Sequence, residues 1–453
     1  MSLGAGENRA PSPGGDDQSY AGQSVGSWFE QMPFTRAHWL AGLALFFAFV
    51  IESWEMMIII FNSDTIGAEF GLATAQIGSL ISAMFLGMIP GALLWGKLVD
   101  QYGRKTSLVW SLALYCPLPL LGAFASGPQM LWWLRAVGGV VLSGALVVTF
   151  AFFEELLPVK TRGRATVYLS AGWPLGVLIA IGVTALLGEW GWRWVIGFSS
   201  VTGLWAFVVH KTVPESPYWL AEKKRIREAQ DAISRLSEGR VTAVVRPMET
   251  MARPDGKVSF FDIFRRPVVH LTALQTVVNF CLAWGYWGLT SWMPALLAKQ
   301  GLSTPEGLSF MAVSALFMFP GYIAASYLTG NFGRKRVMLT FVFAAAVAGF
   351  GFANSASIAQ MYFWSFALSF FSLGAWGVWN TWLGEIYSTD TRTSGFAWGV
   401  SAQRIANAVA PIVIGATLAS SSFLQTVAFI STFLAITFVT ALFLPETEGM
   451  ILQ

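Results

Sequence analysis

Gly96-Lys97-Leu98-Val99-Asp100-Gln101-Tyr102-Gly103-Arg104-Lys105 is a short polar turn between two long apolar runs. It returns as Ser326-Tyr327-Leu328-Thr329-Gly330-Asn331-Phe332-Gly333-Arg334-Lys335, 230 residues further on (334 − 104). The same offset carries Glu155, Pro158 and Arg162 onto Glu385, Ser388 and Arg392. Two landmarks with one offset mean an internally duplicated chain, the second half copying the first.

Composition says what the halves are made of. Of 453 residues, 55% are hydrophobic and 12% charged, where an ordinary soluble domain has about 25% charged. Runs of about 20 apolar residues, enough to cross a bilayer, recur along the chain. The expected class is an all-α polytopic membrane protein embedded in the lipid bilayer. A net charge of +3 gives no reason to expect nucleic acid as a partner. The two cysteines, Cys116 and Cys281, lie in apolar runs, so neither a disulfide framework nor a cysteine-rich metal site is expected. With only three histidines, no metal site is assigned, and no cofactor.

Hydropathy divides the chain into about twelve spans in two six-helix bundles. They lie near 38–61, 76–98, 107–125, 129–153, 166–187 and 194–212, then 268–291, 306–329, 336–353, 358–382, 395–418 and 423–444. The expected organisation is a disordered tail over 1–35, a first bundle over 36–213, a linker with amphipathic helices over 214–267, a second bundle over 268–447, and a short tail over 448–453. In the linker, Ile226, Ala229, Ile233 and Leu236 recur at helical spacing among mixed charges. Lys97, Arg104, Lys105, Lys160, Arg162, Arg164, Arg334, Lys335, Arg336 and Arg392 all fall in one set of loops, while Arg193 and Lys299 are nearly alone in the other. The basic set should face the cytoplasm. Both termini are then cytoplasmic, and the chain is expected in the cell inner membrane.

Several stretches resemble the major facilitator superfamily, and the likeness runs from about residue 36 to 449. Gly96 to Lys105 is similar to its turn between spans two and three. Arg135-x-x-x-Gly139 resembles its fourth-span motif. Pro214-Glu215-Ser216-Pro217-Tyr218-Trp219-Leu220 resembles the segment that ends span six, with Tyr218 where Arg is usual. Pro445-Glu446-Thr447-Glu448-Gly449 resembles the segment that closes span twelve. The last two are similar to the branch of sugar porters, organic ion transporters, aromatic acid:proton symporters and synaptic-vesicle-protein-2-like carriers. The resemblance implies a secondary transporter working by alternating access, not an enzyme, with the substrate site where the halves meet.

Four charged residues fall deep inside the spans. Glu52 lies near the bilayer centre and Glu55 one turn further out, at the i, i+3 spacing of one helix face. Carboxylates at that depth are expensive and mark a functional site by default. Two of them one turn apart in low dielectric should not both ionise, which suits a proton carrier; the plain alternative is an ion pair locking two helices. The resemblance agrees with the first reading, since aromatic acid symporters and vesicle-protein-2-like carriers have paired acids here, so a proton is the expected coupling ion. Arg135 enters span four at a depth matching Glu55, and a Glu55–Arg135 pair would either open on protonation or bridge permanently.

Arg404 lies near the middle of span eleven, seven residues before Pro411 (411 − 404). Its planar fork suits a carboxylate, and a neighbouring acid such as Glu52 would equally neutralise it. In the organic ion transporters it resembles, anion carriers have Arg at this place, which implies a small organic anion as substrate. Gln403 and Asn407 can add hydrogen bonds. The resemblance also puts spans seven and ten on the cavity. Trp284, Tyr286, Trp287 and Asn279 in the former, and Trp376, Trp379 and Asn380 in the latter, then become candidate substrate contacts, with helix packing as the alternative use of the rings.

The duplicated turns are expected to form a cytoplasmic gate from Gly96, Asp100, Gly103, Arg104, Glu154, Glu155, Arg162, Gly333, Arg334, Glu385 and Arg392. Arg104 would pair with Glu154 or Glu155, Arg334 with Glu385, and Asp100 would sit at the start of span eleven. Gly330 stands where Asp100 stands, so the first half should dominate.

The leading expectation is proton-coupled uptake of a small, aromatic or heteroaromatic carboxylate by a monomer. A carrier of organic cations or drugs, a sugar porter, and a non-transporting receptor on the same scaffold are the rivals. Arg404 opposes the first, and a single Gln275 in span seven opposes the second. The topology is checked by cysteines placed singly at 20, 240, 126 and 300. A membrane-impermeant thiol reagent applied outside should miss the first two and label the last two, and the reverse pattern would overturn it.

Overall fold

The computed structural model describes residues 25–158, 161, 165, 168–241, 260–387 and 389–447. Arg162 and Ser388, both used in the sequence expectations, lie outside that set, as do residues 1–24 and 448–453. Among the described residues the chain is helical and contains no strand. Ten helices are long and apolar enough to cross a membrane. In chain order the first six are span 1 (Arg36–Phe61), span 2 (Thr74–Tyr102), span 3 (Arg104–Ala123), span 4 (Pro128–Leu156), span 5 (Tyr168–Trp190) and span 6 (Trp192–Thr212). The other four are span 8 (Thr304–Phe332), span 9 (Arg334–Ala353), span 10 (Ile358–Glu385) and span 12 (Phe423–Ala441). Span 7 (Val269–Lys299) and span 11 (Thr389–Leu418) complete the set. They are as long as the others but less apolar, because one carries Gln275 and Asn279 and the other Gln403, Arg404 and Asn407. The two helices least suited to lipid hold most of the polar site candidates.

Apolar surface alone cannot hold helices together where lipid is as greasy as leucine, so small residues at close contacts matter. A Cβ on Gly91 of span 2 would lie 2.2 Å from Ser143 Oγ of span 4, and one on Gly144 of span 4 would lie 2.5 Å from the Trp95 ring of span 2. At the same offset of 230 residues, a Cβ on Gly321 of span 8 would lie 2.2 Å from the Phe370 carbonyl oxygen of span 10. Its counterpart on Gly374 of span 10 would lie 2.2 Å from the Phe341 ring of span 9. The duplication therefore reaches from the loops into the helix–helix contacts.

The halves meet away from the duplicated turns. Span 2 lies along span 11, and span 5 packs on the first part of span 8. Thr74 Oγ1 donates to the Gly415 carbonyl at 2.7 Å, and a Cβ on Gly78 would lie 2.2 Å from the Pro411 carbonyl oxygen. At the opposite end each turn is held by its own half. Glu215 accepts from the backbone N–H groups of Arg104, Lys105 and Ser216, all at 2.9 Å. Glu446 accepts from Arg334 at 3.1 Å, Lys335 at 3.2 Å and Thr447 at 3.0 Å. A carboxylate at the first turn of a helix is where the helix dipole favours it. Burial pushes the Glu215 carboxyl above its ordinary range, against the backbone N–H groups that hold it down. The two Pro-Glu motifs are thus caps on spans 3 and 9.

One sequence expectation changes and another takes shape. The tail is not disordered up to residue 35: Val25–Gln31 is a helix, and Phe29 is buried with its ring 5.5 Å from that of Tyr218. Tyr218, the departure from the familiar motif, is the surface that orders it. The linker helix forms over Ile226–Leu236 with Ala229, Ile233 and Leu236 buried. It docks on the start of span 1, where Thr35 Oγ1 donates to the Leu236 carbonyl at 2.5 Å and the Ala37 N–H donates to Glu238 at 3.1 Å.

Gly103 has φ 97° and ψ 168°, a region that is essentially glycine's alone, and a Cβ there would lie 2.4 Å from Glu215 Oε2. Gly103→Ala should cost about 1–3 kcal/mol from backbone strain alone, read as a lower thermal midpoint of the detergent-solubilised protein. Gly96 has open space around a Cβ, so Gly96→Ala should leave the midpoint unchanged or raise it; equal midpoints for the two variants would contradict the capping role.

Candidate substrate and coupling site

Glu52 and Arg404 come from different halves and face each other in the interior. Glu52 on span 1 is 1% exposed, and its Oε2 is buried with no hydrogen-bond partner. The cation in whose field it sits is Arg404 on span 11. They make no direct ion pair, since Arg404 is half-buried and its Nη1 lies 3.9 Å from Met88 Sδ of span 2. A buried carboxylate with an unused acceptor and a guanidinium with unused donors can take up a proton and a carboxylate between them.

Glu55 does not share that environment, although it lies one turn away. Its Oε2 accepts from the Tyr115 hydroxyl at 2.9 Å and its Oε1 from the Thr202 hydroxyl at 3.0 Å. Both partners belong to the first half. Arg135, expected against its carboxylate, instead donates from Nη1 to the Glu55 backbone carbonyl at 3.1 Å and contributes to Glu55 only through its field. The expected acid pair is thus two separate sites, because i, i+3 positions diverge by about 60° around the helix and each carboxylate follows its own neighbours. Tyr115 and Thr202 were missed, since a hydroxyl in an apolar run gives no sequence signal of its partner.

In the second half, an amide network joins spans 7, 10 and 11. Asn279 Oδ1 accepts from the Trp379 indole N–H at 2.8 Å and from Gln403 Nε2 at 2.7 Å, while its Nδ2 donates to Gln275 Oε1 at 2.6 Å. With its amide turned to satisfy both ends, Asn407 donates to the Gln403 carbonyl at 2.9 Å and accepts from Trp287 Nε1 at 3.2 Å. Trp379 and Asn279 are fully buried, and their polar atoms bond each other within this network. Trp284 is corrected as well: its ring stacks on Phe433 of span 12 at 4.6 Å, away from the other half. Asn380 is exposed.

The rings that do reach the interface are Trp287 and Tyr286, with Trp376 behind Tyr286. Trp287 meets Phe85 of span 2 edge-on at 4.7 Å and Trp173 of span 5 at 5.6 Å. Tyr286 accepts from the Trp173 indole N–H at 2.8 Å and lies 5.9 Å from Trp376. Trp173, absent from the sequence expectations, is the first half's main aromatic contribution.

At the end bearing the turns, Arg104 binds Glu155 at 3.1 Å and Arg334 binds Glu385 at 3.1 Å. Thr447 Oγ1 adds a bond to Glu385 at 2.6 Å. Glu154 is exposed. Asp100 is exposed too, and its carbonyl accepts from the Trp219 indole at 3.0 Å; it does not cap span 11 in this conformation. Arg392 at the start of span 11 has Nε and Nη2 buried without partners. The two halves carry equivalent Arg–Glu pairs, so the expected dominance of the first turn finds no counterpart in the geometry.

Comparison with known proteins follows the same lines. A family profile described as Major Facilitator Superfamily matches residues 43–353 and 310–450. The chain is 30% identical over 441 residues to the niacin transporter NiaP of Acinetobacter baylyi, covering 94% of this chain and 98% of that one. It is 25% identical over 450 residues to the synaptic vesicle 2-related protein of Xenopus laevis, covering 94% and 81% respectively. Among solved structures it is similar to the xylose transporter XylE of E. coli, with a TM-score of 0.74 at 17% identity, covering 92% of this chain and 100% of that one. A profile that spans both repeats, on two helical bundles whose turns and packing glycines share one offset, means that the chain belongs to the Major Facilitator Superfamily and is a transporter rather than an enzyme.

Proposed function

We propose that this transporter takes up a small aromatic or heteroaromatic carboxylate together with protons, as a monomer in the cell inner membrane with both termini in the cytoplasm. The observation that carries the reading is the opposition of Glu52 and Arg404 across the two halves. A carrier named for niacin, a pyridine carboxylate, among its relatives supports the substrate class.

Before substrate binds, Arg404 and Glu52 lie in each other's field, and that attraction draws the two halves together at this depth. A substrate carboxylate takes the guanidinium fork by a charge-assisted bidentate contact. Glu52, buried with an unused acceptor, is then the group that takes up the coupled proton. With the charge on each half cancelled, nothing electrostatic ties the halves together at mid-depth, and the loaded carrier can change its open side. Trp287, Tyr286 and Trp376 supply flat apolar surface for the ring. Glu55, already bonded by Tyr115 and Thr202, serves the first half's own packing.

Loss of a charge-assisted contact of about 1.5–3 kcal/mol should weaken binding roughly ten- to a hundredfold. Arg404→Ala should therefore nearly abolish binding of an aromatic acid such as nicotinate, and Arg404→Lys, which keeps charge but loses the fork, should weaken it clearly. Direct binding to purified protein reads both. Normal acid binding by Arg404→Ala would make Arg404 structural and end the organic-anion reading.

Proton coupling is tested separately in reconstituted vesicles. Glu52→Gln should abolish accumulation against a gradient yet spare exchange of internal for external substrate, while Glu55→Gln should retain accumulation. A Glu52→Gln carrier that still concentrates substrate, or a wild type indifferent to a protonophore, would remove Glu52 from the proton path.

A further inference from the structure

Tyr286 has a second side. On the one facing away from the amide network lies a partly open cavity of about 70 Å³, lined by spans 7, 8 and 10 together with Phe61 of span 1 and Val177 of span 5. It lies towards the end where spans 2 and 11 seal the halves, beyond the Trp173–Tyr286 contact. Serine hydroxyls from spans 8 and 10 (Ser314, Ser365, Ser369 and Ser372), three methionines and the Tyr286 ring line it, and no lining residue is charged. Ser314 and Ser365 satisfy each other at 2.8 Å. Ser369 and Ser372 make no hydrogen bond within the protein among the described residues, so their hydroxyls are available to whatever fills the space.

The lining selects its occupant. A carboxylate would have to shed its water with no cation to meet it, which is costly. Apolar walls with methionine sulfurs favour an aromatic ring, and two open hydroxyls can bond one neutral polar substituent. The space suits several waters, at roughly 10–15 Å³ each, or one small ring in their place. The Trp173–Tyr286 bond stands between this chamber and Arg404, and among the described residues it is the one N/O hydrogen bond between two side chains that joins the halves.

We propose that this chamber is a second binding station on the substrate path, taking a small uncharged aromatic with one hydrogen-bonding substituent, such as an aromatic carboxamide. This rests on the carboxylate reading of Arg404: the substrate is held there as its carboxylate and lodges behind Tyr286 only as its uncharged, protonated acid, for which an aromatic carboxamide is the neutral probe. Translocation then requires the Trp173–Tyr286 bond to break, so that the ring passes between the two stations.

The test compares benzamide and benzoate on the purified full-length protein in nanodiscs, by calorimetry, for wild type, Ser372→Leu and Arg404→Ala. Filling the chamber with Ser372→Leu should weaken benzamide binding by about tenfold or more through overpacking and leave benzoate binding unchanged. Arg404→Ala should do the opposite. Retained benzoate binding also certifies that Ser372→Leu is folded; should that variant not yield monodisperse protein, Ser369→Leu fills the same space from a less buried position. Benzamide binding insensitive to both fillings, or absent from wild type, would overturn the chamber and leave the Arg404 reading standing. Benzoate binding insensitive to Arg404→Ala would instead overturn that reading.

Discussion

A carboxylate and a guanidinium that face each other without touching, each on a different half, set the terms for the rest of this molecule. Neither charge is tolerable in lipid, so both must lie inside, and the only interior shared by the two bundles is the surface where they meet. The helices that line that surface are then the polar ones. Span 7 and span 11 sacrifice apolarity to carry Gln275, Asn279, Gln403, Arg404 and Asn407. The amide network among them fixes the rotamers around Arg404, as a site that must hold a flat anion requires.

The duplication explains what is symmetric and its decay explains what is not. Turns, Arg–Glu pairs, capping carboxylates and several packing glycines recur in both halves. These features keep a bundle folded, and they serve each copy equally. The interior has diverged. The first half gathers Glu55, Tyr115, Thr202 and Arg135 into one cluster, whereas the second builds its network from amides and indoles. Among the described residues the first half brings the carboxylate of Glu52 to the interface and the second brings the cation of Arg404.

The fold was legible because it is written in local signals: runs of apolar length, loop charge and one repeated turn. Glu52, Arg404, Arg104 and Arg334 were legible for a related reason, since a charge at an unexpected depth stands out against its neighbours. Their partners were not. The spacing of Glu52 and Glu55 says that they start on one face, but which neighbour each meets depends on Tyr115 and Thr202, 60 and 147 residues away. Trp284 and Trp287 differ by one turn in sequence and by opposite surroundings in space. Aromatic content gave the number of rings and no means of sorting them. Trp173 stood among ordinary apolar residues, and its role appears only once Tyr286 is placed opposite. The helix at Val25–Gln31 was hidden for a similar cause: a short stretch carries no span-length signal, and its packing of Phe29 against Tyr218 shows only in the fold.

The two capping carboxylates have a further meaning. Glu215 and Glu446 each lie just after the last helix of a bundle and return to bind the start of that bundle's third helix. Each copy is therefore fastened by its own trailing segment and borrows nothing from its sibling to finish folding. A unit with its own closure can exist before it is joined to another. Two glutamates thus give each six-helix unit a closure of its own, which leaves the facing surfaces free to differ, one carrying the acid and the other the cation.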